Sequence, residues 1–140
     1  MTSVWFNKTF SSIHAALALI RTGDTAQEYQ LVVSSPNPHA MRLLAAHEAA
    51  IEPAGLIGLN YIEWCLGFCR DRRIDVFVPG KEASLVSAHR SEFQGIGTRV
   101  MSAASQEMLH LLHNKARFYA TAHSPSAPSP DFAVFEELGS

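Results

Sequence analysis

The stretch Asp75-Val76-Phe77-Val78-Pro79-Gly80-Lys81-Glu82 decides the fold of this chain. Its apolar residues 76–78 predict a short buried strand, and the Pro-Gly pair after them predicts a turn. A helical apolar pattern follows, carried by Leu85, Val86 and Phe93, and Gly95 ends it. A buried strand that passes through a polar turn into a helix is half of a β-α-β unit.

The same alternation of strand, turn and helix recurs along the chain. Strands are predicted at residues 3–6, 29–33, 49–53, 75–78 and 98–101. Helices are predicted between them and again after Ser105, which is a suitable N-cap. Strands that alternate regularly with helices favour right-handed crossovers. We therefore predict an α/β fold, a three-layer Rossmann-like domain with a mainly parallel sheet of about five strands.

Length and charge limit the functional classes to which this protein can belong. The 140 residues are enough for one domain, and 11 Lys+Arg against 13 Asp+Glu give a net charge of −2. Such a balance predicts no nucleic-acid partner and no attraction to an anionic membrane. Neither a signal peptide nor an apolar run of the ~20 residues needed to span a bilayer is evident. A cytoplasmic location is the expectation.

Cysteines and histidines do not form a recognisable metal or redox motif. Cys65 and Cys69 are four apart in a helical pattern. Their β-carbons are expected about 5–6 Å apart, outside the usual disulfide range of about 3.5–4.5 Å, so we predict two buried free thiols. His110 and His113 could share a helix face, but no Glu or Cys accompanies them. No metal ligand is predicted.

The ligand crevice of such a sheet lies at the carboxyl ends of its strands. The loops expected there are polar, and each leads into a helix; their candidate residues are Asn7, Lys8, Thr9 and Ser11, then Ser34 and Ser35, then Gly80, Lys81 and Glu82. Ser102 and Ser105 flank a similar loop after the last strand. Lys8 or Lys81 could hold a phosphate or carboxylate there. Alternatively, the hydroxyls only cap helices and the lysines are solvated.

Several known motifs are absent from the sequence. Neither Gly-x-Gly-x-x-Gly nor Gly-x-x-x-x-Gly-Lys-Ser/Thr occurs, which argues against a dinucleotide site and a P-loop. Gly-x-Ser-x-Gly is absent too. Asp75 opens its strand, at the edge opposite the crevice, where a receiver-domain carboxylate would not lie. We predict no catalytic residue within this chain.

Three segments carry a resemblance to a known family. Residues 75–82, 97–101 and 108–119, with the proline-rich turn 124–130 after them, resemble the N-terminal domain of bacterial ATP-grasp proteins. The branch is similar to the carbamoyl-phosphate synthase large subunit and to biotin carboxylase. In that superfamily a Rossmann-like pre-ATP-grasp domain precedes the ATP-grasp module, and an Asp-Lys pair marks the junction. The corresponding pair here is Asn114-Lys115, which departs from the pattern at its acidic member.

This resemblance implies a domain organisation and an activity. Residues 1–122 would be the pre-ATP-grasp domain, and 123–140 a hinge leading into an ATP-grasp module beyond Ser140. Lys115 would contact ATP, with Mg²⁺ bound by the module. A full-length parent would be a ligase that activates a small-molecule carboxylate as an acyl-phosphate for attack by an amine. The 140-residue chain, as a fragment, would be inactive alone and would bind no cofactor tightly.

Two alternatives remain open at the level of sequence. One is a self-sufficient Rossmann-like module that binds a small phosphorylated ligand. The other is a structural or homodimeric domain with Phe118 and Tyr119 at the contact.

Overall fold

The computed structural model describes residues 1–7, 13–40, 42–102, 114 and 120. Its strands are β1 (Thr2–Phe6), β2 (Tyr29–Ser35), β3 (Glu48–Ile51), β4 (Val76–Val78) and β5 (Arg99–Val100). Its helices are α1 (Ile13–Gly23), α2 (Arg42–Ala45), α3 (Gly58–Arg72), α4 (Ala83–Ala88) and α5 (Arg90–Gly95). Each predicted strand is present, and the predicted α/β class is confirmed.

The five strands form one sheet in the order β3-β2-β1-β4-β5, and every neighbouring pair is parallel. Val4 of β1 lies opposite Leu31 of β2 on one side and Val76 of β4 on the other. The chain moves outward from β1 to β3, then returns to the other side of β1 for β4. The strand order therefore reverses between β1 and β4, and the carboxyl ends of these strands form the switch point.

Two separate cores cover the faces of the sheet. On one face, Trp5, Phe77 and Val100 pack against α3, α4 and α5, with Cys65 and Phe93 among the helical contributors. Both thiols of α3 are free and buried, as predicted. On the other face, a smaller core joins β1 and β2 to α1. This arrangement is the three-layer sandwich predicted from the sequence.

Aromatic rings fill the larger core. The Trp5 ring stacks on Phe77 with centroids 4.1 Å apart and contacts Phe68 of α3 at 4.5 Å. Offset and tilted aromatic pairs of this kind add to the free energy gained by burial alone. They fix the position of Trp5, whose indole nitrogen also reaches the carboxyl edge of the sheet.

Two elements differ from the sequence prediction. The helix predicted across residues 85–93 divides into α4 and α5 at His89, whose φ of −98° and ψ of 17° interrupt the helical turn. The third strand, predicted to extend to residue 53, ends at Ile51. Glu52 remains joined to β2 through its backbone, because its N–H donates to the Ser35 carbonyl at 2.9 Å. No helix within the described part of the chain could cross a membrane.

Candidate functional site

The switch point between β1 and β4 contains a network of buried polar side chains. Asn7 follows β1 directly, and the turn of residues 79–82 follows β4. Ser34 lies near the end of β2, and Glu52 follows β3. Four consecutive loops or strand ends of the carboxyl edge thus contribute to one cluster, which we name the crevice network: Asn7, Ser34, Glu52, Tyr61 and Lys81.

Asn7 joins the turn after β4 to helix α3. Its side-chain oxygen accepts hydrogen bonds from the backbone N–H groups of Gly80 at 2.6 Å and Lys81 at 3.1 Å. Its side-chain amide donates to the Lys81 carbonyl and to the Tyr61 hydroxyl, both at 3.0 Å. Asn7 is fully buried, and these four contacts match the bonding capacity that an amide needs inside a protein.

Glu52 is the acidic centre of the network. Its side chain has no exposed surface, and its Oε1 accepts from the Ser34 hydroxyl at 2.7 Å and the Tyr61 hydroxyl at 3.3 Å. The Trp5 indole N–H donates to Ser34 at 2.9 Å. A buried carboxylate is tolerated only when paired and hydrogen-bonded. These hydrogen bonds, together with the nearby Lys81 ammonium, meet that condition.

Lys81 is the part of the network that solvent reaches. Its Nζ lies 3.4 Å from Oε2 of Glu52 and 4.3 Å from the centre of the Tyr61 ring. Its side chain is 23% exposed, so the ammonium stands at the boundary between the buried cluster and water. An ammonium has three donors. Its contact with Glu52 leaves it the capacity to bind an anion from the crevice side.

Tyr61 contacts Glu52 and lies one helical turn before Cys65 in α3. Burial raises the pKa of the Tyr61 hydroxyl above its ordinary value, and the nearby Cys65 and Glu52 raise it further. The hydroxyl therefore keeps its proton at neutral pH and donates it to Glu52. Burial also raises the pKa of Cys65 above its ordinary value and that of Cys69 to about 12. Both thiols are too weakly acidic to act as nucleophiles.

The predicted site residues fall into three groups: those in the crevice network, those next to it in the chain, and those outside the described residues. Asn7, Ser34 and Lys81 are brought together in the crevice network, and Gly80 joins it through its backbone N–H. Ser35 is buried beside it and accepts from the Asn37 N–H at 3.1 Å. Glu82 follows with a left-handed backbone, φ 55°. The remaining predicted residues lie outside the described residues: Lys8, Thr9, Ser11, Ser105 and Lys115.

Sequence reasoning missed two members of the network, Glu52 and Tyr61. The loop after β3 was not counted among the candidate loops, although it also lies at the carboxyl edge. An acidic residue directly before a proline, at the end of a weak strand, was the available signal for Glu52. Tyr61 offered none, because an aromatic residue in a helical pattern is ordinary core material.

The network is suited to holding an anion rather than to bond-breaking chemistry. Glu52, Tyr61 and Asn7 are buried and already hydrogen-bonded, so a ligand in the crevice meets Lys81 first. The N–H groups of Gly80 and Lys81 are occupied by Asn7. Within residues 1–7, 13–40 and 42–102, His, Cys, Asp and Glu side chains do not gather into a group of three that could hold a metal ion.

Comparison with solved structures finds the same fold in multidomain carboxylases. A single-chain, multi-domain long-chain acyl-CoA carboxylase matches 96% of this chain over 14% of its own, at 20% identity and a TM-score of 0.52. Rhizobium etli pyruvate carboxylase matches 97% over 14%, at 17% identity and 0.52. The biotin carboxylase domain of Hydrogenobacter thermophilus 2-oxoglutarate carboxylase, a dimer in complex with MgADP, ADP and bicarbonate, matches 85% over 26%, at 15% identity and 0.53.

These likenesses confirm the predicted resemblance at the level of fold. The chain spans about a seventh to a quarter of the length of these proteins. No protein-family model matches the sequence, and no curated protein matches it significantly.

Proposed function

We propose that this chain is the N-terminal, substrate-side domain of an ATP-dependent carboxylate ligase of the ATP-grasp type, and that it is catalytically incomplete alone. The observation that carries the proposal is the crevice network, which places the Lys81 ammonium at the switch point of a fold found in biotin carboxylases. Open parallel sheets bind their ligands at that position.

Lys81 would bind the carboxylate substrate by charge. Glu52 holds the ammonium from the buried side, and the Tyr61 ring lies against it. Both contacts reduce the number of positions that the flexible lysine stem can occupy, so less conformational freedom is lost when an anion binds. The structure of the Hydrogenobacter thermophilus domain contains bicarbonate, a small anion, together with ADP. A small carboxylate of similar charge is the substrate class we propose here.

The described crevice does not fit ATP itself. A triphosphate needs several free backbone N–H groups or several cations. The crevice offers one ammonium, which is already paired with Glu52, and the N–H groups of Gly80 and Lys81 are used by Asn7. The nucleotide and Mg²⁺ would therefore be bound by an ATP-grasp module joined to this chain, with Lys115 contacting the phosphates as the resemblance implies.

Calorimetric titration of the 140-residue chain tests the proposal that this chain lacks a complete nucleotide site. We expect MgATP to bind no more tightly than a millimolar constant, because most of the phosphate site is supplied elsewhere. A micromolar constant for MgATP would contradict the proposal. A micromolar constant for inorganic phosphate, lost in Lys81→Met, would instead support a self-sufficient module for a phosphorylated ligand.

Kinetics of a longer protein, in which this chain is joined to its ATP-grasp module, test the division of roles. Lys81→Met should raise KM for the carboxylate about tenfold or more and leave KM for ATP unchanged, since one charged contact contributes about 1.5–3 kcal/mol. Lys115→Ala should raise KM for ATP instead. The crevice would not be the substrate site if Lys81→Met raised KM for ATP and Lys115→Ala raised KM for the carboxylate. The same conclusion would follow if Lys81→Met had no effect.

A further inference from the structure

Asn7 holds the backbone of the residue that carries the ammonium of the crevice network. The register of β1 and β4 pairs Phe6 with Val78, so Asn7 follows the pair on one strand and the turn of residues 79–82 follows it on the other. The Asn7 side chain bonds to the Lys81 N–H at 3.1 Å and to the Lys81 carbonyl at 3.0 Å. One side chain from the central strand of the sheet therefore holds both polar groups of the Lys81 backbone.

The turn that Asn7 holds has a strained backbone. Glu82, directly after Lys81, has φ 55° and ψ 31°, a left-handed conformation that is costly for a residue with a β-carbon. Glu82 is the N-cap of helix α4 but makes no side-chain capping bond, so capping does not offset this cost. Strained backbone persists only where the surrounding structure fixes it. The bonds from Asn7 constrain Gly80 and Lys81, the two residues before Glu82, in this way.

Asn7 also acts on the far end of the Lys81 side chain. Its amide donates to the Tyr61 hydroxyl at 3.0 Å, and that hydroxyl donates to Oε1 of Glu52 at 3.3 Å. A hydroxyl has one proton to donate, so a Tyr61 oxygen that accepts from Asn7 can direct its proton to Glu52. Oε2 of the same carboxylate lies 3.4 Å from Nζ of Lys81. The backbone and the ammonium of Lys81 are thus both connected to Asn7.

We propose that Asn7 is the positioning residue of the crevice: it does not contact the ligand, but determines where Lys81 presents its ammonium to a carboxylate. This inference rests on the proposed function, in which Lys81 binds a small carboxylate. Asn7 is fully buried, and its four bonds use both lone pairs of its oxygen and both protons of its amide. It therefore has no bonding capacity left for a ligand, whereas solvent reaches Lys81.

The role requires an amide at position 7. Aspartate has the same shape, but it has no proton for the Lys81 carbonyl or the Tyr61 hydroxyl, and it would bury a second carboxylate near Glu52. Alanine removes the acceptor for the N–H groups of Gly80 and Lys81. Lys81→Met, in contrast, removes the ammonium and keeps the backbone groups that Asn7 holds. The clamp and the charge can therefore be changed separately.

Hydrogen exchange of the 140-residue chain, measured at single amides by NMR, tests whether Asn7 holds the turn. The amides of Gly80 and Lys81 should be protected, and Asn7→Ala should speed their exchange about tenfold or more while α3 stays protected. The matched control is Thr98→Val, which removes another buried bond, from the Thr98 hydroxyl to the Ile74 carbonyl at 2.7 Å. This bond lies at the amino edge of the sheet, so Thr98→Val should leave exchange at Gly80 and Lys81 unchanged.

NMR titration of the same chains with sodium acetate, compared with sodium chloride at equal ionic strength, tests what the clamp does for binding. We expect saturable acetate binding with a millimolar constant in the unmodified chain and in Thr98→Val. Lys81→Met should weaken acetate binding about tenfold, and Asn7→Ala about threefold or more. Adding Asn7→Ala to Lys81→Met should weaken binding no further, because Asn7 acts through Lys81.

The same titration separates failure of this inference from failure of the proposed function. If Asn7→Ala speeds exchange at Gly80 and Lys81 but binds acetate as the unmodified chain does, Asn7 is only structural and the carboxylate site stands. Equal weakening by Asn7→Ala with and without Lys81→Met would also overturn the positioning role. If acetate does not saturate the unmodified chain, or if Lys81→Met binds it unchanged, the proposed carboxylate site is wrong, and the inference is wrong with it.

A second variant keeps the test decisive if Asn7→Ala also exposes α3. Tyr61→Phe keeps the ring that lies against the Lys81 ammonium and removes the hydroxyl between Asn7 and Glu52. It should leave the Gly80 and Lys81 amides protected and weaken acetate binding about threefold. Acetate binding equal to that of the unmodified chain would then overturn the proposal.

Discussion

At the scale of single residues, Glu52 organises the carboxyl edge of the sheet. It is fully buried, yet it links Ser34, Tyr61 and Lys81, which come from β2, α3 and the turn after β4. A buried carboxylate in this position costs desolvation free energy and is stabilised only by its partners. Its value to the protein is geometric, because it holds the Lys81 ammonium at the crevice.

Removing the Glu52 side chain should destabilise the fold. Glu52→Ala leaves the Ser34 and Tyr61 hydroxyls without this acceptor, and we expect a loss of about 2–3 kcal/mol in the free energy of unfolding. Glu52→Gln should cost less, because its amide oxygen can still accept, although its NH₂ group faces Lys81. Urea unfolding measures both, with the exposed Glu63→Ala as the control, expected within about 0.5 kcal/mol. Equal stability of Glu52→Ala and the unmodified chain would contradict the role of the network.

The buried thiols of α3 predict a loss of stability at alkaline pH. Burial raises the pKa of Cys69 from 9.0 to about 12 and also raises that of Cys65. The unfolded chain therefore releases these protons first as pH rises, and unfolding becomes more favourable above about pH 9, by up to about 1.4 kcal/mol per pH unit for each thiol. Below about pH 8 both thiols are protonated in the folded and in the unfolded chain, so they add no pH dependence to the free energy of unfolding.

Urea unfolding between about pH 7.5 and pH 10.5 measures this slope. The Cys65→Ala/Cys69→Ala chain, although less stable because of the cavities it creates, should show a shallower decline. Part of the slope should persist through Tyr61, whose pKa is raised as well. Identical slopes in the two chains would show that the thiols do not titrate with unfolding.

At the scale of elements, the end of helix α3 carries avoidable strain. Arg73 closes the helix in the left-handed conformation, with φ 52° and ψ 52°, and its N–H bonds to carbonyls of the last turn. Glycine is the residue that adopts this conformation without steric cost. Arg73→Gly should therefore raise the free energy of unfolding by about 0.5–1 kcal/mol.

The control for this change lies three residues earlier. Arg70→Gly, inside helix α3 and also at an exposed position, should lower stability by about 1 kcal/mol, because glycine is a poor helix former. Thermal or urea unfolding of the two variants gives opposite signs if the capping conformation is the cause. Destabilisation by both would show that the Arg73 side chain makes a favourable contribution of its own.

Element type and order were predictable from the sequence, whereas the contacts of the site were only half predictable. Runs such as 31–33 and 76–77 are buried and remain apolar throughout, so periodicity and turn residues locate them. Asn7 and Lys81 follow such strands in the sequence, which indicates that both lie at the carboxyl edge of the sheet. Glu52 and Tyr61 reach the same place only because the fold brings the end of β3 and helix α3 close to the ends of β1 and β4. Such contacts between distant parts of the chain leave no pattern in the sequence. The division of α4 from α5 at His89 likewise depends on local geometry.

At the scale of the whole molecule, the two faces of the sheet are unequal. The face covered by α3, α4 and α5 includes the larger core, in which Trp5, Phe77 and Phe93 are fully buried. Helix α3 buries four side chains, whereas α1 buries two, Ile13 and Leu17. Local stability follows the number of buried apolar contacts. The two layers should therefore differ in how readily they open.

Native-state hydrogen exchange should reveal this difference. We expect amides of α1 to exchange at least about tenfold faster than those of α3, because opening α1 exposes only the smaller core. Leu17→Ala, which removes the most buried side chain of α1, should speed exchange in α1 further and leave α3 little changed, whereas Ile62→Ala should affect both helices through global unfolding. Equal exchange of α1 and α3 in the unmodified chain would mean that both layers unfold as one cooperative unit, so that the smaller core is stabilised by contacts beyond Ile13 and Leu17.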